Sequence, residues 1–387
     1  MKQPIYINGF GSMSALGHDP KEVLKQYKTA TSHFSKLRWN QKTVQAAQLK
    51  ASSLTELDSI SKENNRYRDL DKSVLMAMYA SRLAIANLDF NPESTGINLG
   101  SSRGATGLFE KHHKDFLEGK PLSPLASPTT TLGNLSSWVA QDIGVEGPNI
   151  NHSITCSTAL HAMLNAKAWL EAGMSDLFLV GGAEAPLTEF TVAQMQSLKL
   201  YSTLDTGYPC ESLKLDKLKN SLVLGEGAAM AAMSRSPKNA LAQITGFGFA
   251  TEQITHNISI SSDAKCFQKS MKMALDEAGR KEVDAVVLHA PGTKKGDNAE
   301  VKAIQNTFNT QPLLTTNKWK LGHTFGASGM LSVEMALLML KTGEFFENPF
   351  YPYAKQTSEI TSVMVNAVGF GGNAVSILLE LPKSSKN

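Results

Sequence analysis

The sequence predicts an α/β protein made of two similar halves. Short apolar runs alternate with segments of helical periodicity, which is the order expected of βαβ units. The segment Ile7–Gly11 (INGFG) is echoed by Ile244–Gly248 (ITGFG), and each copy opens a region of alternating strands and helices. Between the two regions, Ser234–Ala240 (SRSPKNA) is polar and contains a proline. We therefore expect an N-terminal unit at 1–236 and a C-terminal unit at 237–387.

The predicted strands are short and apolar, and the predicted helices carry apolar residues at a spacing of three and four. Helices are expected at Asp71–Leu88, at Leu160–Ala172 and at the nearly all-apolar Met330–Leu340. Residues 32–70 contain no long apolar run and are expected to form a surface excursion. The strands are expected at Pro4–Asn8, Gly96–Gly100, Leu177–Val180, Ala228–Met233, Ala285–Leu288, Ser362–Val365 and Val375–Leu379.

The composition excludes several classes of protein. The 387 residues include 38 Lys and Arg against 35 Asp and Glu, and a net charge of +3 is too close to balance for an obligate nucleic-acid binder. No run approaches the roughly 18 apolar residues of a membrane span, and the N-terminus lacks the apolar core of a secretory signal. Three cysteines without a CxxC pair are too few for a disulfide scaffold or a cysteine zinc site. We expect a cytoplasmic globular protein without a bound metal.

The segment Thr155–His161 (TCSTALH) places Cys156 between an extended run, Asn149–Ile154, and a predicted helix. A thiol at such a turn faces helix N–H groups and the positive end of the helix dipole, which stabilise a thiolate and lower the thiol pKa. The same N–H groups can hold a developing oxyanion. The alternative is a small buried cysteine at the start of a core helix, and position alone favours neither. Cys210 and Cys266 have no such setting.

Three further segments combine glycines with polar side chains. Lys318–Gly329 (KWKLGHTFGASG) holds His323 among small residues ahead of an apolar helix. His289–Thr293 (HAPGT) leads into the acidic sequence GDNAE, and Gly369–Ala374 (GFGGNA) is a glycine-rich turn. Glycine-rich turns are weak phosphate signals on their own, and neither the Walker nor the Rossmann spacing is present. No cofactor is therefore expected.

Together and in this order, these segments resemble the β-ketoacyl-ACP synthase family, condensing enzymes of the thiolase fold. The resemblance covers essentially the whole chain, because the opening INGFGSMSALG and the segment Leu224–Ala228 (LGEGA) also match family motifs. It implies a duplicated five-layered αβαβα arrangement, which agrees with the internal repeat. The N-terminal unit would carry Cys156, and the C-terminal unit would carry His323 and the turn Gly369–Ala374.

The resemblance implies a role for each matching residue. Cys156 matches the acyl-accepting nucleophile, His323 matches one catalytic histidine, and Lys318 matches the active-site lysine. Phe370 matches the gating phenylalanine, whose backbone N–H completes an oxyanion hole with the N–H of the nucleophile. The substrates implied are acyl and malonyl thioesters of an acyl carrier protein.

Acidic side chains match supporting positions of the family. Asp297 and Glu300 match residues thought to be structural. In many family members a glutamate supports the second histidine. An ungapped match places that position at Ser332 in this chain, with Glu334 slightly beyond it. The turn Gly369–Ala374 also lacks a threonine that is usual there, which suggests a relaxed active site.

One departure matters more than these matches. The position of the family's other histidine is Pro291 in this chain, and proline has neither an imidazole nor a backbone N–H. It cannot donate to the carbonyl of a malonyl thioester, and losing one oriented donor typically costs about 10²–10³ in rate. His289 would share a strand face with position 291 but lie about 6–7 Å away along the chain. We expect that distance to be too great for His289 to substitute without rearrangement.

A carrier protein is acidic, so a basic surface is expected to dock it. Lys62, Arg66 and Arg68 cluster just before the first long helix. The alternative is a solvated charged face, since Glu63 and Asp69 are interspersed.

Three functions follow from these observations. The first is a non-condensing homologue of the chain-length-factor type, paired with a complete ketosynthase as in type II polyketide and aryl-polyene systems. In that complex Asn149–Ile154 would pair across the dimer. The second is an active synthase that condenses acyl-Cys156 with malonyl-ACP as a homodimer. The third is a thiolase-fold scaffold without acyl chemistry. Chain length, starter unit and the identity of the carrier protein are not readable from the sequence.

Overall fold

The computed structural model describes residues 4–39, 42–253, 260–352 and 359–382. The strands are β1 (Ile5–Ser14), β2 (Ser35–Trp39), β3 (Lys42–Ala46), β4 (Thr95–Gly100), β5 (Asn149–His152), β6 (Leu177–Glu184), β7 (Gly227–Ser234), β8 (Ala242–Thr251), β9 (Ala285–Val287), β10 (Leu313–Thr315), β11 (Ser362–Gly369) and β12 (Asn373–Glu380). The helices are α1 (Pro20–Tyr27), α2 (Ala51–Glu63), α3 (Lys72–Ile85), α4 (Thr106–Leu117), α5 (Ala126–Thr130), α6 (Asn134–Ile143), α7 (Thr158–Glu171), α8 (Glu189–Ser197), α9 (Lys265–Ala278), α10 (Lys294–Thr307), α11 (Lys318–Leu321) and α12 (Ser328–Thr342).

Ten of these strands form one sheet in the order β10-β9-β11-β12-β8-β1-β7-β6-β4-β5. Read from each edge to the centre, the two halves have the same pattern of two parallel pairs followed by two antiparallel pairs. The halves meet where β1 pairs antiparallel with β8, with Ile5 opposite Ile244. The duplicated arrangement predicted from the sequence is therefore present in the topology.

Three hydrophobic clusters separate five layers. One cluster lies between α3, α6 and the N-terminal half of the sheet, and another lies between α9, α10 and the C-terminal half. The third surrounds α7 and α12, which lie between the two halves. Strand side chains alternate between clusters, so that Phe178 of β6 points to the central cluster while Leu179 points to the outer one. The predicted αβαβα arrangement is confirmed.

The repeated glycines have a packing reason. A Cβ atom added to Gly9 would collide with the carbonyl oxygen of Ala84 in α3, and one added to Gly248 would collide with that of Ser270 in α9. Each copy of the motif therefore lets one helix lie directly against the backbone of the strand that opens its half. The boundary between units at 1–236 and 237–387 stays a prediction.

Each predicted strand and helix overlaps an observed one. The expectation for residues 32–70 is wrong in part, because α2 buries Leu57 and Ile60 and because Ala47 is hydrogen-bonded to Leu224 and Glu226. These apolar residues are too scattered to form a run, yet they contact the core once the helix forms. Within the described part of the chain, no helix has the length and hydropathy needed to cross a membrane.

Candidate active site

The turn between β5 and α7 places Cys156 as the sequence predicts. Thr155, immediately before it, has a φ of 48°, which is unusual for a residue with a Cβ. Its carbonyl accepts hydrogen bonds from the Ser102 hydroxyl and from the Thr158 hydroxyl. The strained turn is thus held from two sides, and it directs the Cys156 side chain toward the segment that contains His323.

His323 is held beside the LGEGA segment by backbone hydrogen bonds. Its N–H donates to the carbonyl of Val223, and its carbonyl accepts from the N–H of Gly225. Gly225 is required because an added Cβ would meet the carbonyl oxygen of Leu321. Gly322 has a φ of 72°, a conformation that favours glycine at the end of the short helix α11. The two glycine motifs therefore act together to fix the backbone of His323.

The Sγ atom of Cys156 lies 3.1 Å from Nε2 of His323, and both residues are buried. Burial lowers the pKa of His323 to about 3, so its ring is neutral and its Nε2 can accept a hydrogen bond from the thiol. Burial, followed by the charge of Glu184, raises the pKa of the Cys156 thiol to about 12. This direction is opposite to the lowering predicted from the helix N-terminus. The desolvation of a buried thiolate outweighs the favourable dipole, so the resting thiol is protonated, and His323 is the base within hydrogen-bond distance of it.

Glu184 was not predicted from the sequence, although it joins the segment before Cys156 to the segment after His323. Its carboxylate, at the end of β6, is fully buried. It accepts hydrogen bonds from the Ser101 hydroxyl and from the backbone N–H groups of Ser102, Arg103 and Gly326. Ser102 in turn contacts the turn before Cys156, and Gly326 follows His323. The sequence did offer one indication of this residue, because a glutamate that ends an otherwise apolar strand is unusual and suggests a buried carboxylate.

Lys318 and Glu300 form a second buried charged group. Burial lowers the pKa of Lys318 to about 8, and the negative charge of Glu300 opposes this shift. Burial raises the pKa of Glu300 to about 7. The Glu300 carboxylate accepts hydrogen bonds from the N–H groups of His289 and Ala290 and from the Asn366 amide. Glu300 thereby fixes the backbone that leads to Pro291.

Asp297 holds the next turn of that backbone. Its carboxylate accepts hydrogen bonds from the N–H groups of Gly292 and Thr293 and pairs with Lys217 at 2.7 Å, and neither charged side chain is exposed. These contacts hold the backbone on either side of Pro291, and the structural role that the resemblance implies for Asp297 and Glu300 stays a prediction.

Pro291 lines the same cavity as Cys156 and His323. His289 lines it as well, and its ring lies edge-on to the ring of His323 with the centroids 5.3 Å apart. Whether His289 can substitute for the missing histidine stays a prediction, but its ring does line the cavity. The predicted distance applied to the backbone, whereas the side chain extends into the cavity beside His323.

The turn Gly369–Ala374 lies directly against the nucleophile turn. A Cβ atom added to Gly369 would collide with the Thr155 hydroxyl, and Gly371 and Gly372 have φ values of 93° and 71°. Phe370 lines the cavity and is 38% exposed. The turn therefore brings the backbone of Phe370 to the side of the cavity where Cys156 lies.

The cavity has a volume of about 500 Å³, and its wall is mostly apolar. Besides the residues already described, its apolar lining includes Met195, Leu200, Leu222, Ile260, Phe267, Phe325 and Val368. Exposed Lys294 and Lys295 also line the cavity, and neither was predicted from the sequence as a site residue. The cavity suits an apolar chain whose reactive end lies at Cys156.

Glu334, one of the predicted supporting residues, lies away from His323. Glu334 accepts hydrogen bonds from Ser12 and Tyr27 rather than supporting His323. The position where many family members have the glutamate holds Ser332 in this chain. Glu334 lies two residues further along α12, about 200° around the helix axis, so its side chain points in nearly the opposite direction. The supporting role expected for Glu334 is therefore wrong.

The predicted docking residues are also separate from the cavity wall. Lys62, Arg66 and Arg68 are exposed, and Lys62 forms an ion pair with Asp58. None of them is among the residues that line the cavity. Their role in docking stays a prediction.

Family models for β-ketoacyl synthases match this chain over most of its length. The N-terminal domain model matches residues 2–239, and the C-terminal domain model matches residues 241–349. With the fold and the Cys–His pair described above, the chain belongs to the β-ketoacyl synthase family. A 3-oxoacyl-[acyl-carrier-protein] synthase 2 of Staphylococcus aureus (strain COL) is 28% identical over 409 aligned positions, covering 96% of this chain and 97% of the relative.

Two solved complexes have the same fold. The ishigamide ketosynthase/chain length factor aligns with a TM-score of 0.85 and 18% identity, covering 99% of this chain and 100% of the other. The ketosynthase ApeO in complex with its chain length factor ApeC, from Xenorhabdus doucetiae, aligns with a TM-score of 0.82 and 22% identity, covering 98% of each chain. At these identities the likeness concerns the fold.

Proposed function

We propose that this chain is the non-condensing, chain-length-factor-type subunit of a heterodimer with a complete ketosynthase. The observation that carries the proposal is that Pro291 lines the cavity with Cys156 and His323. By the motif match of the sequence, we assign Pro291 to the position of the family's first catalytic histidine. Without an imidazole there, the site lacks one oriented donor for the decarboxylation of a malonyl thioester. The pathway we propose is polyketide or fatty-acid synthesis, including the aryl-polyene type.

The subunit keeps the groups needed to accept an acyl chain. Cys156 transfers its proton to Nε2 of His323 and attacks the carbonyl carbon of an acyl carrier thioester. The negative oxygen of the tetrahedral intermediate is held by the N–H groups of Cys156 and Phe370. The bond from carbon to the carrier sulfur then breaks, and His323 returns the proton to that sulfur. The apolar cavity holds the acyl chain during the transfer.

Two surface features support a large protein partner. β5 (Asn149–His152) is an edge strand of the sheet, so one side of its backbone is available for pairing. Six of the fifteen large apolar side chains that are exposed in the described residues belong to the segment 109–132, whose helix α5 contacts α6, the helix that packs on β5. They are Phe109, Phe116, Leu117, Leu122, Leu125 and Leu132. An exposed apolar segment of this kind in the same half of the protein as a sheet edge is typical of an obligate interface.

Further support comes from the structures that share the fold. One of the similar structures is a type II acyl-carrier protein in complex with its ketosynthase, and two others are ketosynthase and chain-length-factor pairs. We propose that an acidic acyl carrier protein and a homologous ketosynthase are the partners of this chain.

A second candidate function is favoured by one specific observation. The ring of His289 lies beside that of His323, so the cavity contains two imidazoles despite Pro291. This favours an active synthase that works as a homodimer.

Reconstitution distinguishes the two functions. The chain is purified alone and with the ketosynthase encoded beside it, and each sample is given acyl-ACP and malonyl-ACP. In a non-condensing subunit, Cys156→Ala leaves product formation by the complex largely intact, whereas replacing the partner's nucleophile abolishes it. Elongation by the isolated chain at about 1 s⁻¹ or more would show that it is a condensing enzyme.

A further inference from the structure

His289 is a buried imidazole that has no role in the acyl transfer proposed above. The residue is 5% exposed, and its ring lines the cavity together with Cys156 and His323. Its Nδ1 atom has no hydrogen-bond partner among the described residues. A buried polar atom without a partner costs free energy, so its retention at the wall of an acyl cavity points to a ligand.

The surrounding structure fixes the position of this ring. β9 ends at Val287, and the backbone N–H of His289 donates to the Glu300 carboxylate at 2.9 Å. The ring packs edge-on against His323, with the centroids 5.3 Å apart. The backbone is thus anchored on one side and the ring on the other, which leaves the imidazole little freedom to turn away from the cavity.

The charged state of the ring suits donation of a hydrogen bond. Burial lowers the pKa of His289 well below its ordinary value, and the nearby positive charge of Lys318 acts in the same direction. The neutral ring carries one N–H donor and one acceptor nitrogen. Pro291, two residues further along the cavity wall, offers neither.

We propose that His289 donates a hydrogen bond to the sulfur of the carrier-borne thioester that delivers an acyl group to Cys156. This inference rests on the acylation of Cys156 proposed above. The N–H groups of Cys156 and Phe370 serve the carbonyl oxygen, whereas the carrier sulfur gains negative charge as its bond to carbon breaks, before His323 has returned the proton to it. As that carbon–sulfur bond breaks, the His289 N–H stabilises the departing thiolate while His323 returns the thiol proton to it. His289 itself transfers no proton.

Two variants separate donation from packing. His289→Phe keeps a planar ring without a donor, and His289→Gln keeps an N–H donor without the ring. Each is mixed with acyl carrier protein carrying a medium-chain acyl group, and single-turnover acylation of Cys156 is followed by intact-protein mass. Alkylation of Cys156 by iodoacetamide is measured in parallel, because its leaving group is iodide and needs no donor at the carrier sulfur.

We expect acylation by the Phe variant to fall about 10- to 100-fold, while the Gln variant stays within about threefold of the unchanged protein. Alkylation should change less than about twofold in both variants. Equal acylation by the Phe variant and the unchanged protein would overturn the role of His289. A parallel loss of acylation and alkylation would also overturn it, because that result shows a structural effect.

The same experiment separates this inference from the proposed function. If the unchanged protein is not acylated at Cys156, the acyl transfer proposed above fails and the role of His289 fails with it, whereas the non-condensing role is decided separately by the reconstitution. If the unchanged protein is acylated and the Phe variant is not impaired, only the role of His289 fails. If the isolated chain condenses with malonyl-ACP and the Phe variant does not, His289 does the work of the missing histidine and both proposals are overturned.

Discussion

The Sγ atom of Cys156 and the Nε2 atom of His323 lie 3.1 Å apart, although 167 residues separate them in the sequence. Burial raises the thiol pKa and lowers the imidazole pKa, so the resting pair is a neutral thiol and a neutral ring. In the resting protein the pair is therefore uncharged, and charge develops only as the thiol attacks.

Alkylation tests whether this pair makes Cys156 the reactive cysteine. Burial raises the pKa of Cys156 and Cys266 to about 12 and also raises that of Cys210, so thiol acidity does not distinguish the three. Only Cys156 lines the cavity and has His323 as a nearby base. We expect iodoacetamide to modify Cys156 first under native conditions, and His323→Gln to slow the reaction at least about tenfold. Peptide mapping by mass spectrometry measures both, and equal labelling of all three cysteines would contradict the expectation.

The lowered pKa of His323 predicts a pH effect on stability. The folded ring has a pKa of about 3, against 6.5 for an ordinary histidine, so the unfolded chain takes up a proton that the folded protein excludes. The free energy of unfolding is therefore unaffected by His323 above about pH 6.5. Below that pH it falls, by at most about 1.4 kcal/mol per pH unit, because only the unfolded chain binds the proton. We expect His323→Gln to lose less stability than the unchanged protein between about pH 7 and 5. Urea unfolding at several pH values measures this, and parallel curves would exclude the effect.

Glu184 accepts four hydrogen bonds between the two catalytic segments, so its removal should affect both stability and the thiol. Glu184→Ala leaves buried donors without partners, and we expect it to lower the free energy of unfolding by about 3 kcal/mol or more. Glu184→Gln keeps an acceptor and should cost about 1 kcal/mol. Because the carboxylate charge raises the pKa of Cys156, Glu184→Gln should also lower that pKa. Ultraviolet absorbance of the thiolate during a pH titration measures this shift, and an unchanged thiol pKa would show that Glu184 is only structural.

The repeated glycines predict a difference between two substitutions. Gly248→Ala places a Cβ atom against the backbone of α9, and we expect a loss of about 1–3 kcal/mol in the free energy of unfolding. Gly133→Ala is the control, because Gly133 has a φ of −66° and no atom within 4 Å of an added Cβ. The control should be neutral or stabilise the protein by up to about 1 kcal/mol. Thermal unfolding measures both, and an equal effect would refute the packing explanation.

The exposed apolar segment predicts where a partner subunit binds. Phe116 is 62% exposed, and Phe116→Glu should weaken binding of the partner ketosynthase at least about tenfold without changing the stability of the isolated chain. Phe249→Glu is the matched control, because Phe249 is 49% exposed and lies on β8 in the other half of the sheet. Co-purification and mass measurement of the complex compare the two. Equal binding by both variants would place the interface elsewhere.

The fold was largely predictable because its information is local. Alternating strands and helices, the repeat at Ile7–Gly11 and Ile244–Gly248, and the strand-to-helix turn at Cys156 follow from short-range patterns. The exact ends of these elements were harder to predict. The strand β10 (Leu313–Thr315) was not predicted, because a run of three residues shows too little periodicity to be told from a loop.

The sequence predicted several individual residues of the site but not the contacts between them. Cys156, His323 and Lys318 are embedded in glycine-rich motifs, so they are visible in the sequence. The sequence by itself determined the duplicated α/β architecture and the family, and it predicts that Pro291 takes the place of a family histidine. Only the tertiary structure decided that Glu184 joins the segments that carry Cys156 and His323, that Glu334 faces Tyr27 instead of His323, and that the His289 ring lines the cavity. Those outcomes depend on helix rotation, strand ends and side-chain direction, which are set by packing between segments far apart in the chain.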